Sequence, residues 1–360
     1  MKIAIFHDFF GTIGGSEKLV LEIAKAFNAD IITTDKNQEN IKRLGIKGIK
    51  IISLGETVKF PILKQIHASY KFSKAPFKDH DLYIISGCWS IFVAKNHQPN
   101  LFYCHTPVRM FYSHYEDFKR ICPNVFLPFF ILWVKIHRFF LEKNLKYINK
   151  IVTNSKNTQK RIKKYYNRDS KVIYPPIKQY KFKKYGDFWL SVNRIYPHKR
   201  IELQIEAFRQ LPTEKLYIVG GIAKGDYAKK YYKQLLRNLP NNVIFLGEVT
   251  EKRLEELYGR CKAFITTSKD EDFGMNVLEA NSAGKMVIAI NEGGYKETII
   301  NDQNGFLVIP TVIEIIEKIK IISKNPSKYK KECQDQGKRY NLRVYLEKIK
   351  DEIKNFNRKL

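Results

Sequence analysis

Short runs of apolar, β-branched and aromatic residues recur along the chain, with stretches of helical apolar spacing between them. In the first half the runs fall at 2–6, 30–34, 49–53, 81–86, 101–104, 150–153 and 171–174. Strand, helix, strand in regular alternation predicts a parallel α/β sheet covered by helices. The rhythm breaks over 174–187, where Pro175 and Pro176 restrict the backbone to extended forms and Gly186 follows several lysines. This segment reads as an interdomain linker. Beyond it the alternation restarts at 188–193, 216–219, 243–246, 263–267, 286–290 and 306–309, which predicts a second doubly wound domain. From Thr311 onward the pattern is helical and lysine-rich, with apolar spacing at Leu342, Val344, Tyr345, Ile349, Ile353 and Phe356. The expected organisation is therefore two Rossmann-like domains, 1–175 and 176–335, and a terminal helix, 336–360, packing back on them. Ligands of open α/β sheets bind beyond the carboxyl ends of the strands, so chemistry is expected on post-strand loops facing a central cleft.

Composition narrows this picture only slightly. A length of 360 residues suits two cores, and 44% hydrophobic residues can fill both. The 64 Lys and Arg outnumber 36 Asp and Glu, for a formal net charge of +28, and they are spread along the chain. Anionic partners in general follow: phosphorylated small molecules, an anionic membrane surface or nucleic acid. A compositional bias of the genome toward Lys, Asn, Ile and Tyr would produce the same excess. Five scattered cysteines with no C-x-x-C pair argue against a disulfide framework or a zinc site, and fit a reducing cytoplasm. The longest apolar run, 125–134, is about half the ~20 residues of a spanning helix, so no membrane crossing is expected.

Three loops after predicted strands carry candidate chemistry. The first, Gly11-Thr12-Ile13-Gly14-Gly15-Ser16-Glu17, opens a helix running to about Phe27, and its glycines would let backbone N–H groups approach a phosphate. A plain turn into a helix would look the same, and the pattern is not G-x-G-x-x-G. The second places Arg194 and Lys199 across a turn constrained by Pro197, where two cations could meet on a diphosphate. Lys199 and Arg200 at a helix start are electrostatically disfavoured unless an anion is near. The third and strongest is Asp270-Glu271-Asp272-Phe273-Gly274-Met275-Asn276-Val277-Leu278-Glu279. A helix is expected to begin near Met275, with Glu271 in the loop before it. From the first turns of that helix, Glu279 could accept hydrogen bonds from two vicinal hydroxyls such as those of a ribose. Phe273, Gly274 and Met275 would bring the helix N-terminus to the phosphates. Acidic capping would explain Asp270 and Asp272 alone, but not Glu271 and Glu279 together with Arg194 and Lys199.

Glu271, Phe273, Gly274 and Glu279, with Arg194, Lys199, Gly293-Gly294 before Glu297, Asn154-Ser155 and Tyr174-Pro175-Pro176, resemble glycosyltransferase family 4, retaining enzymes of the GT-B fold. The run Glu271-Asp272-Phe273-Gly274 and the stretch Cys104-His105-Thr106-Pro107-Val108-Arg109 look like the bacterial mannosyltransferases of O-antigen and related polysaccharides. The resemblance implies transfer of a hexose, mannose from GDP-mannose being favoured over a UDP-sugar, to a saccharide or lipid-linked saccharide acceptor. By the same resemblance, Arg194 and Lys199 would hold the donor diphosphate, Glu279 the ribose and Glu271 the hydroxyls of the transferred sugar. Gly14 and Gly15 would close over the phosphates. His105, at a strand's carboxyl end, looks like the family's histidine near the reacting carbon, whereas His7 reads as structural. Gly220-Gly221-Ile222 lacks the acidic residue that many relatives place there, and Asn276 or Val277 stands where many have proline.

Retention implies either a carboxylate nucleophile or front-face attack guided by the departing phosphate, and the family favours the second. With two cations and a helix dipole on the diphosphate, no cofactor and no divalent metal is expected, although Asp270-x-Asp272 could be mistaken for a metal motif. A nucleic-acid-binding protein is the rival that +28 invites. It would cluster basic residues with aromatic platforms, which the sequence does not, so no nucleic-acid partner is expected. A nicotinamide dehydrogenase would need a glycine fingerprint that neither half has. Residues 125–147 mix Phe126, Phe129, Phe130, Leu132 and Trp133 with Lys135, His137, Arg138, Lys143 and Lys146. Such a segment suits either an anionic membrane surface or an ordinary first-domain helix. A cytoplasmic enzyme, peripheral on the membrane's inner face, is the expectation.

Overall fold

The computed structural model describes residues 1–10, 14–37, 41, 48–60, 62–222 and 228–357. The chain divides into two units, Met1–Tyr174 with Leu346–Leu360, and Pro175–Tyr345.

The first unit is a seven-stranded parallel sheet: β1 (Ile3–Phe10), β2 (Asp30–Lys36), β3 (Ile51–Ser53), β4 (Leu82–Ser86), β5 (Asn100–Cys104), β6 (Lys150–Thr153) and β7 (Lys171–Val172). Their spatial order is β3-β2-β1-β4-β5-β6-β7. Its helices are α1 (Gly15–Phe27), α2 (Leu63–Ser73), α3 (Tyr115–Ile121), α4 (Leu127–Leu145) and α5 (Lys156–Tyr166). Ile3, Ala4, Ile5 and Phe6 are all buried, without alternation, because helices cover both sheet faces. The ends of α1 and α5 are written locally. Glu17 reaches back to the Gly14 N–H at 2.7 Å, Asn28 takes a left-handed turn after α1, and Ser155 accepts from Thr158 N at 2.9 Å.

The second unit holds β8 (Phe188–Val192), β9 (Lys215–Val219), β10 (Val243–Gly247), β11 (Phe264–Thr266), β12 (Val287–Ile290) and β13 (Gly305–Val308). Its order, β10-β9-β8-β11-β12-β13, repeats that of the first sheet. Its helices are α6 (Ile201–Arg209), α7 (Lys229–Arg237), α8 (Glu251–Arg260), α9 (Met275–Ser282), α10 (Tyr295–Thr298), α11 (Val312–Lys324) and α12 (Lys330–Lys338), while α13 (Leu342–Asn357) starts in this unit and ends in the first. In each sheet the strand order reverses beside its first strand, between β1 and β4 and between β8 and β11. That is the topological switch point at which open α/β sheets take their ligands.

Every strand expected from the sequence is present, with ends moved by up to four residues. The run 171–174 shortens to Lys171–Val172 because a proline pair follows. The segment 174–187 is largely fastened to the second unit: Tyr180 N donates to Ser282 Oγ at 2.8 Å, Gly186 N to Arg260 O at 2.8 Å and Tyr185 Oη to Gly284 O at 2.9 Å. In the first unit Glu352 of α13 is fully buried and paired with both Lys150 and Lys171, on β6 and β7. The apolar run 125–134 also proves to be part of something longer. Helical structure continues past Lys135, and Asn124–Leu145 is long and apolar enough, by length and composition, to cross a membrane. Phe130, Trp133, Val134, His137 and Leu141 nevertheless form a stripe at helical spacing that is buried in the first unit.

Candidate active site

In the second unit the loops after β8 and β11 bring Lys199 and Glu271 together. Lys199 Nζ donates to Glu271 Oε2 at 2.6 Å, with side chains only 17% and 21% exposed. Burial pushes the Glu271 carboxyl up, but the Lys199 charge and hydrogen bond, aided by Ser268 and His198, outweigh it and hold the group at about 2. Glu271 is therefore an acceptor at any working pH. Lys199 does not lie in the first turn of a helix, as expected. It ends a short 3-10 turn, Pro197–Lys199, and Arg200 takes φ +49° before α6 begins. Arg200 is itself the N-cap of α6, and its guanidinium pairs with Glu292 at 3.0 Å, which supplies the anion that a cation at a helix start needs. Arg194 is exposed and does not join the Lys199–Glu271 pair.

The loop carrying Glu271 is held from behind. Gly294 N donates to Glu271 O at 2.7 Å, and a Cβ on Gly293 would lie 2.4 Å from that same carbonyl. A Cβ on Gly294 would meet Asp272 O and Phe273 Cα at 2.5 Å. The glycine pair thus exists to let two loops touch. Gly274, with φ +88°, starts α9 without a side-chain cap, and a Cβ there would strike the Tyr295 ring at 2.6 Å. Tyr295 Oη sits 2.8 Å from Thr266 Oγ1 and donates to Glu271 Oε2 at 3.5 Å. Phe273 is buried against Tyr340, while Met275 is half-buried at the head of α9. Asn276, where many relatives were expected to have proline, ties α9 to the end of β8 through Nδ2 donating to Val192 O at 3.1 Å.

Glu279 lies half-buried on α9, and Tyr258 Oη donates to its Oε2 at 3.2 Å. Burial and the neighbouring Glu279 push the Tyr258 phenol well above its ordinary range, so it stays a donor. Tyr180 stacks on Tyr258 with centroids 4.5 Å apart. Tyr258, Tyr180 and Tyr295 escape sequence reasoning, since a tyrosine in a helix, a linker or a short turn carries no pattern of its own.

The first unit places His105 just past β5, half-buried, with Nε2 2.9 Å from Ser86 Oγ. Burial first, and then the charge of His7, push the His105 imidazole down to about 4, so the ring is neutral near pH 7. Gly14 and Gly15 open α1, but the Gly14 N–H is already engaged by Glu17. Gly11, Thr12 and Ile13 lie outside the described residues. Next to His7, Asp8 accepts from the N–H groups of Cys88, Trp89 and Ser90 at 2.6 to 2.9 Å. Gly87, with φ +128°, makes room for that carboxylate, which a Cβ would meet at 2.4 Å. Among the described residues no group of three or more His, Cys, Asp or Glu side chains could hold a metal ion.

Two Rossmann-like parallel sheets of the same strand order define the GT-B fold. Residues 176–340 match the family model of glycosyl transferases group 1, and the second unit is a domain of that family. The alpha-1,3/1,6-mannosyltransferase ALG2 of Dictyostelium discoideum is 26% identical over 400 residues, covering 92% of this chain and 91% of that protein. The O-antigen chain mannosyltransferase RfbU of Salmonella typhimurium is 28% identical over 171 residues, covering 46% of this chain and 48% of its own. Among solved structures, Anabaena Alr3699/HepE in complex with UDP-glucose superposes with a TM-score of 0.79 at 19% identity, over 99% of this chain and 100% of that one.

Proposed function

We propose that the chain is a retaining, metal-independent mannosyltransferase that takes GDP-mannose and elongates a saccharide or lipid-linked saccharide in cell-surface polysaccharide synthesis. The observation that carries the reading is the Lys199–Glu271 pair beside the uncapped start of α9. A diphosphate needs cations and N–H donors, and Lys199, the exposed Arg194 and the start of α9 at Met275 and Asn276 offer both, while the Val277 N–H is taken by Asn276 Oδ1. Phe273, Gly274 and Met275 shape the approach to that turn. Glu271, ionised and relieved of Lys199 by the incoming phosphate, accepts hydrogen bonds from sugar hydroxyls. Glu279 accepts from the ribose, with Tyr258 fixing one of its oxygens. A carboxylate occupied by sugar hydroxyls is not placed to take the acceptor's proton or to attack the reacting carbon. That favours the route in which a phosphate oxygen of the departing diphosphate takes the acceptor's proton. The cations and helix dipole stabilise the leaving group where a divalent ion otherwise would. Mannose is favoured because the ALG2 and RfbU relatives are mannosyltransferases.

The test is saturation binding and turnover of GDP-mannose, GDP-fucose, UDP-glucose and UDP-N-acetylglucosamine in EDTA. Glu279→Ala and Arg194→Ala are assayed beside the native protein. GDP-mannose turned over with inversion, or only after manganese is added, would overturn the mechanism; preference for a UDP-sugar would overturn the donor.

A second reading, motivated by α4, is that the enzyme works at the cytoplasmic surface of a membrane. Phe129, Leu132, Ile136 and Phe140 recur at helical spacing on one exposed face, preceded by Val125 and Phe126, which are 77% and 62% exposed. Exposed Lys135, Lys143 and Lys146 flank them. Ser69 Oγ lies 3.1 Å from His137 Nε2, making α2 a neighbour of α4, and α2 exposes Leu63, Ile66 and Tyr70. Because the opposite stripe of α4 is buried in the unit, this helix would lie in an anionic lipid interface rather than span it. Co-sedimentation with phosphatidylglycerol vesicles at low salt, lost in Phe129→Ser/Leu132→Ser/Ile136→Ser, is the expected result. Equal sedimentation of both proteins would remove the reading.

A further inference from the structure

Four polar side chains line up across the carboxyl ends of β1, β4 and β5. Glu17 Oε1 lies 3.5 Å from His7 Nε2. His7 Nδ1 lies 3.0 Å from Ser86 O and 3.2 Å from Ser86 Oγ. Ser86 Oγ in turn lies 2.9 Å from His105 Nε2. The sheet itself sets the line, since His7 and Ser86 are register partners on adjacent parallel strands. Both are almost wholly buried, at 3% and 1% exposure, so water is kept from the middle of the line.

The direction of each hydrogen bond follows from the chemistry of its atoms. A carbonyl oxygen only accepts, so His7 Nδ1 carries a proton and gives it to Ser86 O and Ser86 Oγ together. The Ser86 hydroxyl, accepting from His7, has its own proton left, and its remaining neighbour is His105 Nε2. The buried hydroxyl keeps a partner for its proton when that nitrogen accepts, and in the neutral ring the proton is then on Nδ1. Ser86 O also accepts from Ser90 Oγ at 3.0 Å, and Asp8 is taken up by three backbone N–H groups, so neither competes for the hydroxyl. Also against His105 are the Tyr103 ring, 5.0 Å away, and Asn154, whose Nδ2 donates to the His105 carbonyl at 2.9 Å.

We propose that Glu17, His7 and Ser86 are positioning residues that hold His105 as the Nδ1–H tautomer, making it a hydrogen-bond donor to the sugar rather than a base. The role toward a sugar rests on the transferase reading above, while the tautomer rests on the geometry alone. Glu17 serves twice, since its other oxygen fixes the Gly14 N–H at the start of α1. The carboxylate is ionised for this: burial raises it, but the His7 hydrogen bond and charge bring it down to about 2.

The experiment uses the full chain with 15N-labelled histidine, the His105 ring signals being assigned by their loss in His105→Gln. Two-bond proton–nitrogen correlations distinguish Nδ1–H from Nε2–H. The native protein is expected to show Nδ1–H at His105, and Ser86→Ala to move it toward Nε2–H. In donor kinetics Ser86→Ala should lower kcat by about 10- to 100-fold, as loss of a supporting partner does elsewhere, with KM for the donor little changed. Ser86→Thr, which keeps the hydroxyl, should restore both tautomer and kcat, and this separates positioning from mere packing. Glu17→Gln should give a smaller shift of the same sign. An Nε2–H signal in the native protein overturns the proposal, and so does a Ser86→Ala variant whose tautomer and kcat both match native. Should the tautomer respond as expected while no nucleotide sugar is turned over, the transferase reading fails together with the sugar-donor role, and the hydrogen-bonded line stands.

Discussion

The two sheets share a strand order, yet their switch points carry opposite chemistry. In the second unit, charges dominate: Lys199 with Glu271 and Arg200 with Glu292, beside an uncapped helix. In the first, the ends of β1, β4 and β5 carry a buried line in which a neutral histidine is held by a hydroxyl. A fold that places ligands at strand ends says where binding occurs and leaves its polarity to a few side chains. The charged end suits a leaving group that gains negative charge. The first end instead presents a neutral His105 backed by the Glu17–His7 pair, a fixed donor of the kind that discriminates hydroxyls better than a mobile charge does.

The sharpest way to break this contrast is to remove the cation from the charged end. Lys199→Ala should lower kcat by about 1,000-fold, the scale of losing a principal electrostatic group, and should destabilise the second unit by ~3 kcal/mol because the largely buried Glu271 loses its lysine partner and keeps weaker ones such as the Tyr295 hydroxyl. Turnover and urea unfolding check the two effects, and a loss of less than tenfold would mean the cation does not meet the leaving group. Nearly as large is Gly294→Ala, whose Cβ would force Asp272 and Phe273 aside. Turnover is expected to vanish while hydrogen-exchange protection of the first unit stays native. Tyr258→Phe sharpens the comparison more gently: losing one hydrogen bond to Glu279 should weaken donor binding by roughly 5- to 10-fold in calorimetry.

Acid should separate the two units. In the first, burial pushes His105 and His137 down to about 4 from an ordinary 6.5. Below pH 6.5 the unfolded chain therefore takes up these protons before the folded one, and stability present above 6.5 is lost as pH falls through 4. Asp8, raised by burial, works in the opposite sense and trims that loss. In the second unit the depressed Glu271 contributes stability above 4.5 that fades only as pH falls toward 2. Exchange protection followed unit by unit should weaken first in the first unit. The smallest effect expected is from Asn276→Ala, about 1 kcal/mol for the lost tie between α9 and β8, read from the unfolding midpoint.

The sequence by itself determined the thirteen strands seen among the described residues and the doubly wound class, and it singled out Arg194, Lys199, Glu271 and Glu279 as candidates, of which the fold pairs Lys199 with Glu271 and leaves Arg194 outside that pair. It could do so because buried parallel strands need continuous apolar runs, and because Arg194, Lys199, Glu271 and Glu279 sit in loops or helix starts whose spacing shows locally. Only the tertiary structure decided that Lys199 pairs with Glu271, 72 positions away, that Gly293 and Gly294 exist for a loop contact, and that Tyr258 serves Glu279. It also changed the reading of His7, from a structural histidine to the middle of a line joining Glu17 to His105. Residues 7, 17, 86 and 105 have no common period in the chain. Strand register brings them together, and register is set by packing a whole sheet, which no local pattern encodes.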